Sequence, residues 1–403
     1  MTDETTQRIT QLEAQLQLLT RLLGAQGLHA EPHAHHHAVV DAVEALAPLR
    51  PLLEDESIND ILINNARNVF VERGGKMERV DLTFPDDAAL FSIAETIASQ
   101  TGRELAASRP LVDARLSDGS RVNIIAPPLS VDGVSISIRK FTRNLITLDH
   151  MSAQGNLSPQ LAEFLKIAAR CRLNIIIAGG TGSGKTTLLN AMAQHIDADE
   201  RLVTIEDAAE LRLTQENLVR LETKPMLTGG RRGEEVTIRD LVKNALRMRP
   251  DRIIVGEVRG AEAFDMMQAM NTGHEGSLTT IHANHPRDAL ARLENMITMA
   301  NLNLPTQSIR AQIASAVHLI IQVSRMRDGQ RRVTFVSEVV GMESDVITMQ
   351  DLFAFKTKGE KADGSLDGGF AWSGIMPRFL RRVAYYGEAG RMSQVLGVTL
   401  PKF

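Results

Sequence analysis

Cysteine is almost missing from this sequence of 403 residues: Cys171 stands alone. One thiol excludes an intramolecular disulfide and any zinc module built from several cysteines. Aromatic residues are scarce too, at 4 %, and Trp372, Tyr385 and Tyr386 all lie near the C-terminus. Everything before Trp372 must pack on Phe and aliphatic side chains. No Trp or Tyr ladder is available to stack bases, as single-strand nucleic-acid binders require. No apolar run approaches the roughly 20 residues of a spanning helix. The opening MTDETTQRIT is polar and acidic, unlike a secretory signal. An excess of one charge is also lacking: 45 Lys+Arg against 49 Asp+Glu leave −4, which argues against a basic nucleic-acid coat protein. These absences lead to the expectation of a soluble, cytoplasmic chain with no membrane anchor of its own.

What is present is ordinary globular material, 43 % apolar and 23 % charged, long enough for about two to three domains. Residues 1–25 place Ile9, Leu12, Leu16, Leu19 and Leu23 at heptad spacing, which predicts an amphipathic helix, docked on its own domain or on a partner. HAEPHAHHHA follows, with His29, His33, His35, His36 and His37. Without cysteine or ordered carboxylates it reads as a polar linker, so 1–37 is set apart. Residues 38–141 read as an N-terminal α+β domain. A helix is expected near 40–54, short strands across INDILINNARNVFVERGGKMERV, a helix over 86–101, and alternating strands around the Asp118-Gly119 turn. A linker is expected over 142–158. Over 159–355 the runs LNIIIAGG, RLVTIED, DRIIVGE and SLTTIHA alternate with helix-like segments. That pattern predicts a mainly parallel, buried sheet flanked by helices, with a C-terminal appendage. The tail 356–403, with its Gly/Asp/Lys-rich stretch, is expected to be a partly ordered loop.

Gly179-Gly180-Thr181-Gly182-Ser183-Gly184-Lys185-Thr186 fits G-x-x-x-x-G-K-[ST], after an apolar strand and before a helical run. Glycines let backbone N–H groups curl around phosphate oxygens, and a helix N-terminus adds its dipole. The candidate nucleotide contacts are Gly180, Thr181, Gly182, Ser183, Gly184, Lys185, Thr186 and Thr187. Lys185 is aimed at the β/γ-phosphates and the Thr186 hydroxyl at Mg²⁺. Arg252–Glu257 reads as a buried strand ending in an acid, which makes Glu257 a candidate to orient or deprotonate attacking water. Thr204-Ile205-Glu206-Asp207 ends a second buried strand. Glu206 is a candidate to hold metal-bound water, and Asp207 could instead cap a helix. His274-Glu275 opens like H-E-x-x-H, but Leu278 stands where the second His must be, so that zinc motif fails. His282 closes the strand SLTTIH as a candidate γ-phosphate sensor.

Walker A, TIED, a Walker B ending GEVRG and the box GHEGSLTTIHAN together resemble the secretion ATPase superfamily of type II and type IV secretion and type IV pilus assembly. LVKNALRMRPDRIIVGEVRGAEA and INDILINN resemble in particular its CpaF/TadA branch, which serves tight-adherence (Flp-type) pili. The resemblance implies an N-terminal domain closing over a RecA-like P-loop ATPase domain, with six chains in a ring. It implies ATP and Mg²⁺ as ligands, Glu257 as catalytic glutamate, Glu206 as organiser of Mg²⁺ and water, and His282 as the His-box residue. SRVN and SIRKF resemble the family's arginine elements, which assigns phosphate contacts to Arg121 and Arg139. The implied partners are further copies of the chain and an inner-membrane platform protein, with no direct nucleic acid, and a peripheral place at the inner membrane. Gly260 departs from the Asp that often follows the Walker B Arg in pilus and type II members. A conjugation-type type IV secretion ATPase and a non-hydrolysing nucleotide switch are the alternatives.

Overall fold

A computed structural model describes residues 47–116, 118–140, 146–224 and 235–401. The expected N-terminal heptad helix and the His-rich stretch lie outside them. The chain divides into two units, 1–143 and 144–403.

In the first unit a 3-10 turn (Ala47–Leu49) leads into α1 (Arg50–Glu54), and strands β1 (Ile58–Asn65), β2 (Asn68–Arg73) and β3 (Lys76–Arg79) form a meander. Helix α2 (Asp87–Gln100) follows, then β4 (Leu111–Arg115), β5 (Arg121–Ile125) and β6 (Ser135–Arg139). The six strands form one antiparallel sheet in the order β3-β2-β1-β6-β5-β4. Asp86 caps α2 by accepting from the Ala89 N–H, and Asp87 adds an acid to the first turn. Leu90, Ile93, Ala94 and Ile97 fall at helical spacing and join one core with Val122, Ile124, Ile136 and Ile138 of the sheet. The other face of β5 carries Arg121 and Asn123.

The second unit begins inside the stretch expected as a linker. Residues 148–158 instead hold α3 (Leu148–Ala153), and Leu148, Met151 and Leu157 are buried in the unit's core. The polar and Gly155-containing spacing that reads as a linker is a helix and its exit turn. Ser158 caps α4 (Pro159–Arg170), with Pro159 in its first turn. Strand β7 (Ile175–Gly179) and α5 (Lys185–Ala193) flank the glycine-rich loop. Next come β8 (Leu202–Glu206), β9 (Leu218–Glu222), α6 (Ile238–Ala245), β10 (Arg252–Val255), α7 (Glu262–Asn271) and β11 (Leu278–Ile281). Helices α8 (Pro286–Thr298) and α9 (Thr306–Ala316) precede β12 (Leu319–Arg325), β13 (Arg331–Glu343), β14 (Val346–Glu360) and β15 (Leu366–Trp372). Two helices close the chain, α10 (Leu380–Tyr385) and α11 (Ala389–Leu396).

These strands form one mixed sheet, β15-β14-β13-β12-β7-β11-β10-β8-β9. From β12 to β9 neighbours run parallel, and from β12 to β15 antiparallel. Both faces are covered, which is why β7 is apolar throughout. Ile175 and Ile177 face the core shared with α4, α5 and the C-terminal helices, while Ile176 and Ala178 face the core of α6 to α9. No helix joins β8 to β9, so the capping role open to Asp207 is not realised. The tail is also more ordered than expected. The Gly/Asp/Lys-rich stretch is a hairpin closed by Lys361 N–H to Ser365 O at 2.8 Å. Beyond it Phe379, Leu380, Val383, Met392 and Leu396 are buried. Phe164 of α4 meets the rings of Phe353 and Phe379 edge-on at 5.0 and 6.0 Å between centroids. Cys171 caps the C-terminus of α4, fully buried, and burial pushes its thiol up to about 12.

Among the described residues no helix is long and apolar enough to cross a membrane.

Candidate functional site

Strands β7, β11, β10 and β8 lie side by side and end together, so the loops after them converge. In such sheets ligands bind at the carboxyl ends of the strands. After β7 the chain must turn tightly into α5. At Gly179 a Cβ would run into the Val323 carbonyl and the Ser183 hydroxyl. Gly182 and Gly184 take left-handed φ of +68° and +99°. At Gly180 and Gly182 a Cβ would meet nothing within 4 Å, so one side of the loop is open. Thr186 and Thr187 sit in the first turn of α5 behind the loop, both half-buried.

Lys185 is buried, 8 % exposed, and folds back on its own loop: Nζ donates to Gly180 O at 3.0 Å. It also lies 3.5 Å from both ring nitrogens of His282, the residue that follows β11. His282 Nε2 stands 2.9 Å from Oε1 of Glu257. That separation is an ion-pair distance off the line of a hydrogen bond, and Glu257 Oε1 is buried without a hydrogen-bond donor. The other oxygen, Oε2, accepts from Arg259 at 2.8 Å, and Arg259 also reaches Asp207 at 3.4 Å. Lys185, His282 and Glu257 therefore form a continuous chain from the glycine-rich loop to the end of β10.

The charge states follow from these neighbours. Burial alone would raise the Glu257 pKa, but the Arg259 hydrogen bond and the charges of Arg259, His282 and Lys185 outweigh it and hold the carboxyl below its ordinary range. Burial and the Lys185 charge push His282 down, against the pull of Glu257. At neutral pH the glutamate is the anion and the imidazole is neutral. Thr280 Oγ1 donates to Gly256 O at 2.7 Å and ties β11 to the turn that presents Glu257.

Glu206 is beside this chain but differently employed. It is 3 % exposed, and a Cβ at Gly256 would come within 2.9 Å of its Cγ, so the glycine makes room for it. Its oxygens accept from Glu210 N–H at 2.9 Å and from Leu211 N–H at 3.1 and 3.2 Å. Burial pushes its carboxyl up to about 7 against those bonds. Those bonds brace the loop after β8 and leave acceptor capacity on the carboxylate. No group of three or more His, Cys, Asp or Glu that could hold a metal occurs among the described residues.

Arg121 and Arg139 lie in the first unit, on β5 and β6. They sit directly opposite each other, with Arg115 opposite Arg121 on the far side and Asp60 opposite Arg139. Directly opposed residues share a face, so three guanidinium-bearing positions form a row across the side of the sheet away from α2. Asp60 closes the same row beside Arg139, and Arg115 Nε donates to Gly119 O at 3.1 Å. Sequence reasoning did not reach the place of Arg115 opposite Arg121 or the contact of Arg259 with Glu257, which depend on pairing register and side-chain direction. It also missed β9.

The family described as "Type II/IV secretion system protein" matches residues 42–356. The chain belongs to that family. A protein named for conjugal transfer from Mycobacterium tuberculosis is 38 % identical over 295 residues, 72 % of this chain and 83 % of the relative. Type IV secretion system protein VirB11 of Brucella suis is 34 % identical over 323 residues, 73 % of this chain and 88 % of that protein. The fold is also that of the ATPase DotB of Legionella pneumophila, with a TM-score of 0.53 and 23 % identity over 70 % of this chain and 77 % of that one.

Proposed function

We propose that this chain is an ATP-hydrolysing motor, active as a ring of six copies, that powers a type IV pilus or secretion machine at the inner membrane. The observation that carries the reading is the chain of contacts from Lys185 through His282 to Glu257, ending at a buried carboxylate oxygen with no donor. An acceptor in that position, anionic at neutral pH, fits a water that attacks the γ-phosphorus. Lys185 exchanges the Gly180 carbonyl for the β/γ-phosphate oxygens, and the loop N–H groups take the rest of the polyphosphate. The Thr186 hydroxyl is the protein group that would hold Mg²⁺ arriving with ATP, which would supply positive charge against the polyphosphate. Glu257 receives the proton of the attacking water as ADP leaves and phosphate forms. His282 stands between Lys185 and the glutamate and reports on the γ-phosphate through Lys185. Arg121 and Arg139 supply the positive charge that a phosphoryl transition state requires.

The machine served is a tight-adherence pilus on the evidence of LVKNALRMRPDRIIVGEVRGAEA and INDILINN. The second reading, a conjugation-type secretion ATPase, is favoured by relatives named for conjugal transfer and type IV secretion. Either way the membrane is reached through a platform protein, with no direct nucleic acid. Deleting the gene in the source strain and scoring surface pilus filaments against DNA transfer to a recipient separates the two.

Steady-state ATP hydrolysis tests the motor. Specific activity is expected to rise with protein concentration as the ring assembles. Lys185→Ala abolishes nucleotide binding, and Glu257→Gln lowers kcat by about 10²–10⁴-fold while ATP still binds. Hydrolysis that survives Glu257→Gln would remove the glutamate from the mechanism.

A further inference from the structure

We infer that Arg331 is a positioning residue for the nucleotide loop, holding the Gly182 carbonyl turned out of the phosphate cradle. Its Nε donates to Gly182 O at 2.9 Å, across 149 residues of chain. Its Cδ lies beside Gly184, 3.6 Å from where a Cβ there would be. The backbone that carries it is fixed. Arg331 is the first residue of β13 and pairs with Arg325 of β12, while Asn156 Nδ2 donates to Arg331 O at 2.6 Å. Asn156 O in turn accepts from Val333 N–H at 2.9 Å. Strand β12 runs parallel to β7 with Val323 opposite Gly179. A rigid hairpin thus presents a guanidinium to the outside of a short, glycine-rich loop.

The physical need is specific. A loop that binds anions works by pointing N–H groups inward, and a carbonyl rotated inward turns its negative end on the phosphate. Gly180 O is held by donors from within the motif, Ser183 Oγ at 2.9 Å and Lys185 Nζ at 3.0 Å. Gly182 has no side chain and nothing within 4 Å of where one would be, so sterics do not stop its peptide from turning. Arg331 supplies the restraint from outside. On the reading of this loop as the ATP site, on which the inference rests, Lys185 leaves Gly180 O when phosphate arrives, whereas Arg331 has no reason to let go. The residue therefore sets affinity for the polyphosphate and acts through Gly182, without touching the reacting atoms.

Two substitutions in the full chain test it, read by titration with a fluorescent ATP analogue in Mg²⁺ and by steady-state kinetics with ATP. Arg331→Met removes the donor and the charge but keeps the aliphatic stem. Arg331→Gln places an amide N–H at the same number of bonds from the backbone as Nε, without the charge. Arg331→Met is expected to raise Kd and KM about tenfold with kcat changed less than about threefold, and Arg331→Gln to return both constants to within about threefold of the unmodified chain. Unchanged affinity in Arg331→Met overturns the inference. So does Arg331→Gln binding as weakly as Arg331→Met, because the charge and not the hydrogen bond would then matter. Thermal melts are recorded first, and if Arg331→Met does not fold, Arg331→Ala takes its place: a tenfold rise in KM there with near-normal KM in Arg331→Gln supports the clamp, and the same KM in both variants overturns it. An unmodified chain that binds no ATP overturns the nucleotide reading and this inference together. Tight binding indifferent to Arg331→Met overturns this inference alone.

Discussion

At the scale of single residues, basicity in this site is set by what Arg259 does to Glu257. Its hydrogen bond and charge overcome burial and keep the carboxyl below its ordinary pKa. A base held that low stays ionised well into acid but takes up a proton reluctantly. Arg259→Ala leaves burial less opposed, so the Glu257 pKa rises. The acid limb of the kcat/KM–pH profile, which reports the free enzyme, then moves to higher pH. Activity at pH 6 falls by a larger factor than at pH 8, and profiles that superimpose after scaling would show that Arg259 does not tune the glutamate. Lys185, Glu257 and His282 could be picked out of the sequence because the first opens a helix after a glycine-rich loop and the other two follow apolar strands. The partner of Glu257 could not, because GEVRG gives no sign that the Arg259 side chain folds back two residues. Nor could the clamp on Glu206, whose backbone donors look like any loop.

At the scale of elements, the parallel strands from β7 to β11 could be read because each is an apolar run bounded by turns. The segments at either end of that domain could not. The stretch 148–158 has too few apolar residues to signal a helix, yet Leu148, Met151 and Leu157 are all buried. The glycines and charges of 357–369 spell a loop, yet they form the end of β14, a tight turn and the start of β15. The family match stops at residue 356, but the core does not. Leu380, Val383, Met392 and Leu396 bury their side chains against α4 and its neighbours, worth on the order of 10 kcal/mol in transfer terms. That is comparable with the entire stability of a domain. A chain ending at Lys356 is therefore expected to lose its cooperative thermal transition and to bind a hydrophobic dye. A sharp melt near the full-length midpoint would show that the tail is dispensable.

On the scale of the whole molecule, the division into two units at 143/144 places the glycine-rich loop in one and the arginine row in the other. The antiparallel pairing that aligns Arg115, Arg121 and Arg139 could not be read from motifs, since register emerges only when strands meet. Alternation did predict strands there, and in the structure Val122 and Ile124 are buried while Arg121 is half-buried. A last consequence concerns Cys171, sealed beneath the end of α4, where Arg382 of α10 donates to its carbonyl at 2.8 Å. With one sulfhydryl in the chain and none at the surface, an alkylating reagent becomes a stopwatch for the opening of the second unit. Modification should be slow in the native protein and immediate in urea, and saturating ATP should lengthen its half-time as far as binding stabilises the closed form. Rapid modification of the native chain would mean that this corner of the fold breathes far more freely than its packing implies.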